Sequence, residues 1–164
     1  MYRGLGEKTF EQLSDGELHW SPNETSNSIA AIILHLHGNM LSRWTNFLTE
    51  DGEKPWRARE EEFTPAGQSR DELMSLWAAG WDCLLDALKA LTPADLQKTI
   101  TIRGEPLPVV DAINRQLAHY PYHVGQIIYI GKMLRGEEWK SLSIGRGQTA
   151  AFNEHMRHTF GGKR

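Results

Sequence analysis

VDAINRQLAHYPYHVGQIIYIGKML, Val110 to Leu134, reads as one long helix closed by Gly136. Ala112, Gln116, His119, His123, Gln126, Ile127 and Ile130 share one face of it. That face is apolar above and below the two histidines, so it is expected to point into a helix bundle. Pro121 lies between the histidines and removes the N–H that would bond the Leu117 carbonyl. A kink is expected there.

Outward from this helix, three further stretches carry helical periodicity. Tyr2 to Leu13 is short and is expected to stop around Ser14-Asp15-Gly16. After Asn27 or Ser28, either a good N-cap, Ile29, Ile32, Ile33, Leu36, Met40, Trp44 and Phe47 recur at three- and four-residue steps. That helix should run to about Thr49, with Asp51-Gly52 ending it. Glu50 to Gln68 is charged, carries Pro55, Pro65 and Gly67, and reads as a loop. Ser69 to Leu91 places Leu73, Trp77, Trp81, Leu84, Leu85 and Leu88 on one stripe. Asp71 and Glu72 suit the positive end of its dipole. Thr99 to Val109 breaks the pattern: Thr99-Ile100-Thr101-Ile102 alternates, Arg103-Gly104-Glu105 turns, and Pro106 and Pro108 confine the second strand to an edge. Gln148 to Phe160 reads as a fifth, C-terminal helix. The expected fold is all-α: an up-down four-helix bundle with a small β-hairpin insert, one domain over 1–164.

Composition narrows the function. A chain of 164 residues has the size of one ordinary domain. Its net charge of −3 argues against nucleic acid as the main partner, which requires a basic surplus. Apolar runs such as Ile29 to Leu34 fall far short of the roughly 20 residues of a membrane span. No secretory signal is visible at the N-terminus. Cys83 is the single cysteine, which excludes a disulfide framework and a Cys-rich zinc site and points to the reducing cytoplasm.

The seven histidines carry the chemistry. His119 and His123, spaced i, i+4, stack two imidazoles where both reach one metal ion. Two neutral imidazoles on an inward face need partners, and a metal is one way to supply them; hydrogen bonds within the core are another. A third ligand must come from elsewhere. His37 lies at the flank of the apolar stripe, so the helical wheel leans to it. His35 sits with Ala31, Gly38, Asn39 and Ser42 on a small, polar face. The wheel does not choose between them.

The motifs resemble a known family. Asn27-Ser28-Ile29, His35-Leu36-His37-Gly38-Asn39-Met40, Ser42-Arg43-Trp44 and Asp51-Gly52-Glu53-Lys54-Pro55-Trp56-Arg57 come one after another as in a branch of the DinB/YfiT-like superfamily. His119-Tyr120-Pro121-Tyr122-His123-Val124-Gly125-Gln126-Ile127 is similar to that superfamily's HxxxH-x-GQ helix. The likeness runs from about Leu5 to Asn153, with a first helix shorter than the family's. It implies a four-helix bundle, a homodimer, and a divalent metal held by three histidines. By this resemblance the ligands are His35, His119 and His123, and His37 takes a variable position. Family members with known activity look like thiol-dependent S-transferases, which implies a small-molecule substrate and a low-molecular-weight thiol.

Three neutral histidines leave a dication uncompensated and Lewis-acidic, with positions open to water or substrate. Zinc, nickel, iron and cobalt all suit imidazole, with zinc or nickel the expected ion. Gln126, one turn from His123, and Asn39, one turn from His35, could orient ligands or serve as plain hydrogen-bonders. Lys54, Arg57 and Arg59 could cover an anionic substrate or simply be solvated. Cys83 reads as an inert buried thiol, His155 and His158 as surface residues, and His19 as lacking a visible partner. Against the transferase stand a non-catalytic metal-binding or stress-response bundle, a metal-dependent hydrolase, and an interaction module with incidental histidines.

Overall fold

The structure is a computed structural model that describes residues 1–161; the last three residues of the expected domain over 1–164 lie outside it. It is mostly helical. In chain order come α1 (Tyr2–Phe10), α2 (Asp15–Leu18), α3 (Ile29–Trp44), α4 (Arg70–Lys89), β1 (Thr99–Ile102), β2 (Glu105–Pro108), α5 (Val109–Arg135) and α6 (Thr149–Phe160). α3 packs along α4, α1 packs along α5, and α3 meets α5 where the histidines lie.

Local chemistry explains the boundaries. Ser28 caps α3 by accepting the Ala31 N–H, and Ser69 and Glu72 form a reciprocal capping box on α4. α1 ends earlier than its periodicity predicts, and the expected stop at Ser14-Asp15-Gly16 starts a new turn instead. Ser14 and Glu17 form a second capping box there, which nucleates the four-residue α2. α3 also ends short of Thr49. Thr45 is extended and Asn46 takes a left-handed φ of 49°, so the chain leaves the helix although Phe47 still packs into the core.

The core is the stripe the sequence displays. Ile29, Ile32, Ile33, Leu36 and Met40 of α3 bury against Leu73, Trp77 and Trp81 of α4 and Val124 and Ile127 of α5. Trp77 stacks edge-on against Phe10, with ring centroids 5.1 Å apart. α5 continues through Pro121 without interruption.

The hairpin is a brace for the loop after α3. Arg103 and Gly104 both take positive φ, 57° and 76°, as a tight two-residue turn demands. Asp51 accepts the backbone N–H groups of Arg103, Gly104 and Glu53 at 2.7–2.8 Å. These bonds hold its carboxyl far below the usual carboxylate range. Gly52 N–H donates to the Thr101 carbonyl at 2.8 Å. The Asp-Gly-Glu stretch is therefore a clasp between loop and hairpin.

Candidate metal centre

His35 on α3 and His119 and His123 on α5 meet in the interior. One ligand atom from each lies within 4.8 Å of the others. His35 Nε2 is 3.3 Å from His119 Nε2, and His123 Nε2 is 3.1 Å from it. The other ring nitrogen of each imidazole faces an acceptor. His35 Nδ1 is 3.0 Å from Glu62 Oε2, His119 Nδ1 is 3.2 Å from Gln116 Oε1, and His123 Nδ1 is 2.9 Å from Gln126 Oε1. A carboxylate or amide oxygen only accepts, so each Nδ1 carries the proton and donates. In the neutral ring each Nε2 then carries the lone pair, and the three Nε2 atoms converge. Such a cluster is repulsive unless a cation sits between them, and three neutral imidazoles with oriented Nδ1–H groups are the donor set a transition-metal dication takes.

Burial favours the neutral form of the two α5 histidines. Burial, then the neighbouring rings of His123 and His35, pushes His119 down to about 4. Burial also lowers His123, against the opposing bond to Gln126. For Glu62, burial alone would raise the carboxyl. Its bonds to His35 and Arg57 outweigh this and hold it below its ordinary value. Arg57 grips Glu62 with a bidentate fork, Nε to Oε1 at 2.7 Å and Nη2 to Oε2 at 2.9 Å. Gly38 makes room for this: a β-carbon there would overlap the Glu62 carboxylate. The glycine of the His-Leu-His-Gly-Asn stretch thus has a steric reason.

His37 lies outside the cluster, half-buried beside Gly38, Trp56 and Glu61. Gln126 does bond a site histidine. Asn39 lies beside the site but its Oδ1 accepts the Tyr120 hydroxyl at 3.2 Å, and that hydroxyl in turn accepts the Trp44 Nε1–H at 2.9 Å. Burial pushes that Tyr120 hydroxyl well above its ordinary value. Lys54 is not at the site; its ammonium group pairs with Glu50 at 2.6 Å. Arg57 and Arg59 are at the site. Cys83 is partly buried on α4 near the Met40 carbonyl and Thr45. His155 and His158 are exposed on α6. His19, expected to lack a partner, has one: its Nε2 lies 2.9 Å from the Gln68 carbonyl.

Glu62 and Phe63 are among the site residues that the sequence reading missed. They belong to a 3-10 turn, Arg59–Phe63, inside the stretch read as plain loop. Phe63 stacks on the His35 ring with centroids 5.2 Å apart. The signal was the lone aromatic ending an acidic run, Glu60-Glu61-Glu62-Phe63.

The model of a family described as "Protein of unknown function (DUF1572)" matches residues 1–148. The chain belongs to that family. No curated protein matches it. The DUF1572 match spans all three histidines and both supporting glutamines. Among the described residues, no helix is long and apolar enough to cross a membrane.

Proposed function

We propose that this DUF1572 protein is a divalent-metal protein whose ligands are His35, His119 and His123, and that it transfers a small thiol to an electrophilic substrate. The observation that carries the metal reading is the convergence of three Nε2 lone pairs, each ring oriented by an acceptor on its Nδ1. The thiol reading rests on the resemblance to DinB/YfiT-like proteins. The same resemblance supports an up-down four-helix bundle formed by α1, α3, α4 and α5 and a homodimer; the single cysteine supports the cytoplasm, and the all-imidazole donor set supports zinc or nickel as the ion.

When bound, the ion supplies Lewis acidity that lowers the pKa of a thiol or water toward neutrality. The protein supplies the rest. Gln116, Gln126 and Glu62 fix the tautomers. No fourth His, Cys, Asp or Glu joins the cluster among the described residues. Glu62 is committed to His35 and Arg57. A structural site would close its fourth position with a protein ligand, so this arrangement favours a reactive centre over a structural one. Cys83 lies elsewhere, so the thiol of this reading comes with a cosubstrate.

Metal content after mild dialysis tests the first half; one ion per chain is expected, and none under any metal supply refutes it. Rates with a panel of small thiols and monobromobimane test the second. Wild type should outpace His123→Ala. Equal rates, with no thiol-induced change in the cobalt-substituted spectrum, would remove the thiol reading and put a metal-dependent hydrolase ahead of it.

A further inference from the structure

The three histidines open onto a cavity of about 410 Å³ with an unusual lining. Arg43, Arg57, Arg59, Arg103 and Arg115 all reach it, and among the described residues no Asp or Glu lines it. This happens in a chain whose net charge is −3. The volume falls in the range of small-molecule sites, roughly 300–1,000 Å³.

The arginines are not equivalent. Arg57 is consumed by Glu62, with its side chain only 2 % exposed. Arg43 is buried, bonding the Gly52 carbonyl and sharing Glu53 with Arg103. Arg59 lies over the Phe63 ring, 5.2 Å from its centroid, and among the described residues its one ion pair is with the highly exposed Glu60. Such a surface pair holds a guanidinium weakly. Arg115 has no ion pair or side-chain hydrogen bond among the described residues. It stands on α5 one turn before His119, on the same side of the helix. Five guanidinium groups are thus answered by only three carboxylates, Glu62, Glu53 and Glu60.

We propose that this cavity selects an acidic small molecule, with Arg115 and Arg59 gripping its carboxylate or phosphate group. The assignment of the reacting end to the histidine centre rests on the metal reading above. Guanidinium groups present paired N–H donors that match both oxyanions, and a concave site of one sign concentrates the opposite one. The layering of Arg59 on Phe63 and Phe63 on His35 sets Arg59 beside the reacting end. Arg115 reaches the same cavity from α5. A bound dication would add to the positive excess and increase the demand for an anionic ligand. Nucleic acid is a poor occupant, because the basic groups line one small cavity in an acidic chain rather than a surface track.

The test is isothermal titration of the full chain with inorganic phosphate and, separately, succinate, at low salt. Both metal-loaded and chelator-stripped protein are titrated. Saturable binding to one site per chain is expected in both states, for at least one of the two anions; the tighter one identifies the group. Arg115→Gln and Arg59→Gln should each weaken binding about tenfold, the worth of one charge-assisted hydrogen bond. Lys132→Gln, an exposed change outside the cavity, should leave it unaltered. All three side chains sit at the surface, so folding is not at stake. No saturable binding of either anion overturns the proposal. So does binding to loaded protein alone that ignores both arginine substitutions, which is coordination to the metal. Arginine-dependent binding by a chain that takes up no metal upholds the anion site and sinks the metal reading instead.

Discussion

The two halves of the histidine cluster are built differently. On α5, His119 and His123 are oriented by Gln116 and Gln126, each three residues away on the same helix. On α3, His35 is oriented by Glu62, 27 residues further along, and Glu62 is itself clamped by Arg57. One half is neutral and preset by helix geometry. The other is ionic and exists only when the loop docks against α3. A carboxylate behind an imidazole makes the ring a stronger donor than an amide does, so the non-local half should govern metal affinity.

Removing a ligand is the largest perturbation. His35→Ala and His119→Ala are each expected to abolish stoichiometric metal binding, read by elemental analysis after dialysis. His37→Ala should retain a full complement, because His37 lines a separate cavity with Trp56 and Glu61 and is not part of the cluster. Loss in His37→Ala with retention in His35→Ala would mean that α3 contributes the other histidine.

The next test compares the supports. Glu62→Gln should weaken metal binding about 10–100-fold, measured by competition with a chromogenic chelator, with Gln116→Ala below that range. Gly38→Ala should resemble Glu62→Gln, since the added methyl displaces the same carboxylate. Equal losses for Glu62→Gln and Gln116→Ala would show that the charge behind His35 adds nothing beyond orientation.

The same contrast explains what could be read in advance. Helix periodicity and i, i+4 spacing are local, and they locate α5 and put His119, His123 and Gln126 on one face of it. The hairpin was equally legible, because alternation and turn chemistry are local too. Periodicity does not choose between His35 and His37: the wheel leans to His37 at the flank of the stripe, the family motif selects His35 on its small polar face, and the packing of α5 and the 3-10 turn brings His35 to the cluster. Glu62 was hidden for a related reason. Glu60, Glu61 and Glu62 are adjacent in the same run, but only the last turns inward, against Gly38 and Arg57. Arg115 was passed over because it carries no motif; it acquires meaning only from the cavity it lines.

The smallest expected effect separates the two halves by pH. In metal-free protein, His119 stays neutral down to about 4, whereas the unfolded chain takes up that proton near 6.5. Between these values the unfolded state binds more protons, so stability should fall as pH drops. Glu62 works in a different window. Its folded value lies below the ordinary 4.5, so its contribution is complete above that pH and is lost only below it. The window from pH 6.5 to 4.5 therefore reports on His119 and His123 together with His37 of α3, which burial also lowers, and lower pH adds the Glu62 carboxylate. Melting temperatures of stripped wild type should decline by a few degrees across the upper window, and His119→Gln, which cannot titrate, should decline less. Parallel curves for the two proteins would mean that folding does not hold His119 neutral. A Glu62→Gln curve that differs from wild type in slope already above pH 5 would mean that the two halves titrate as one coupled unit.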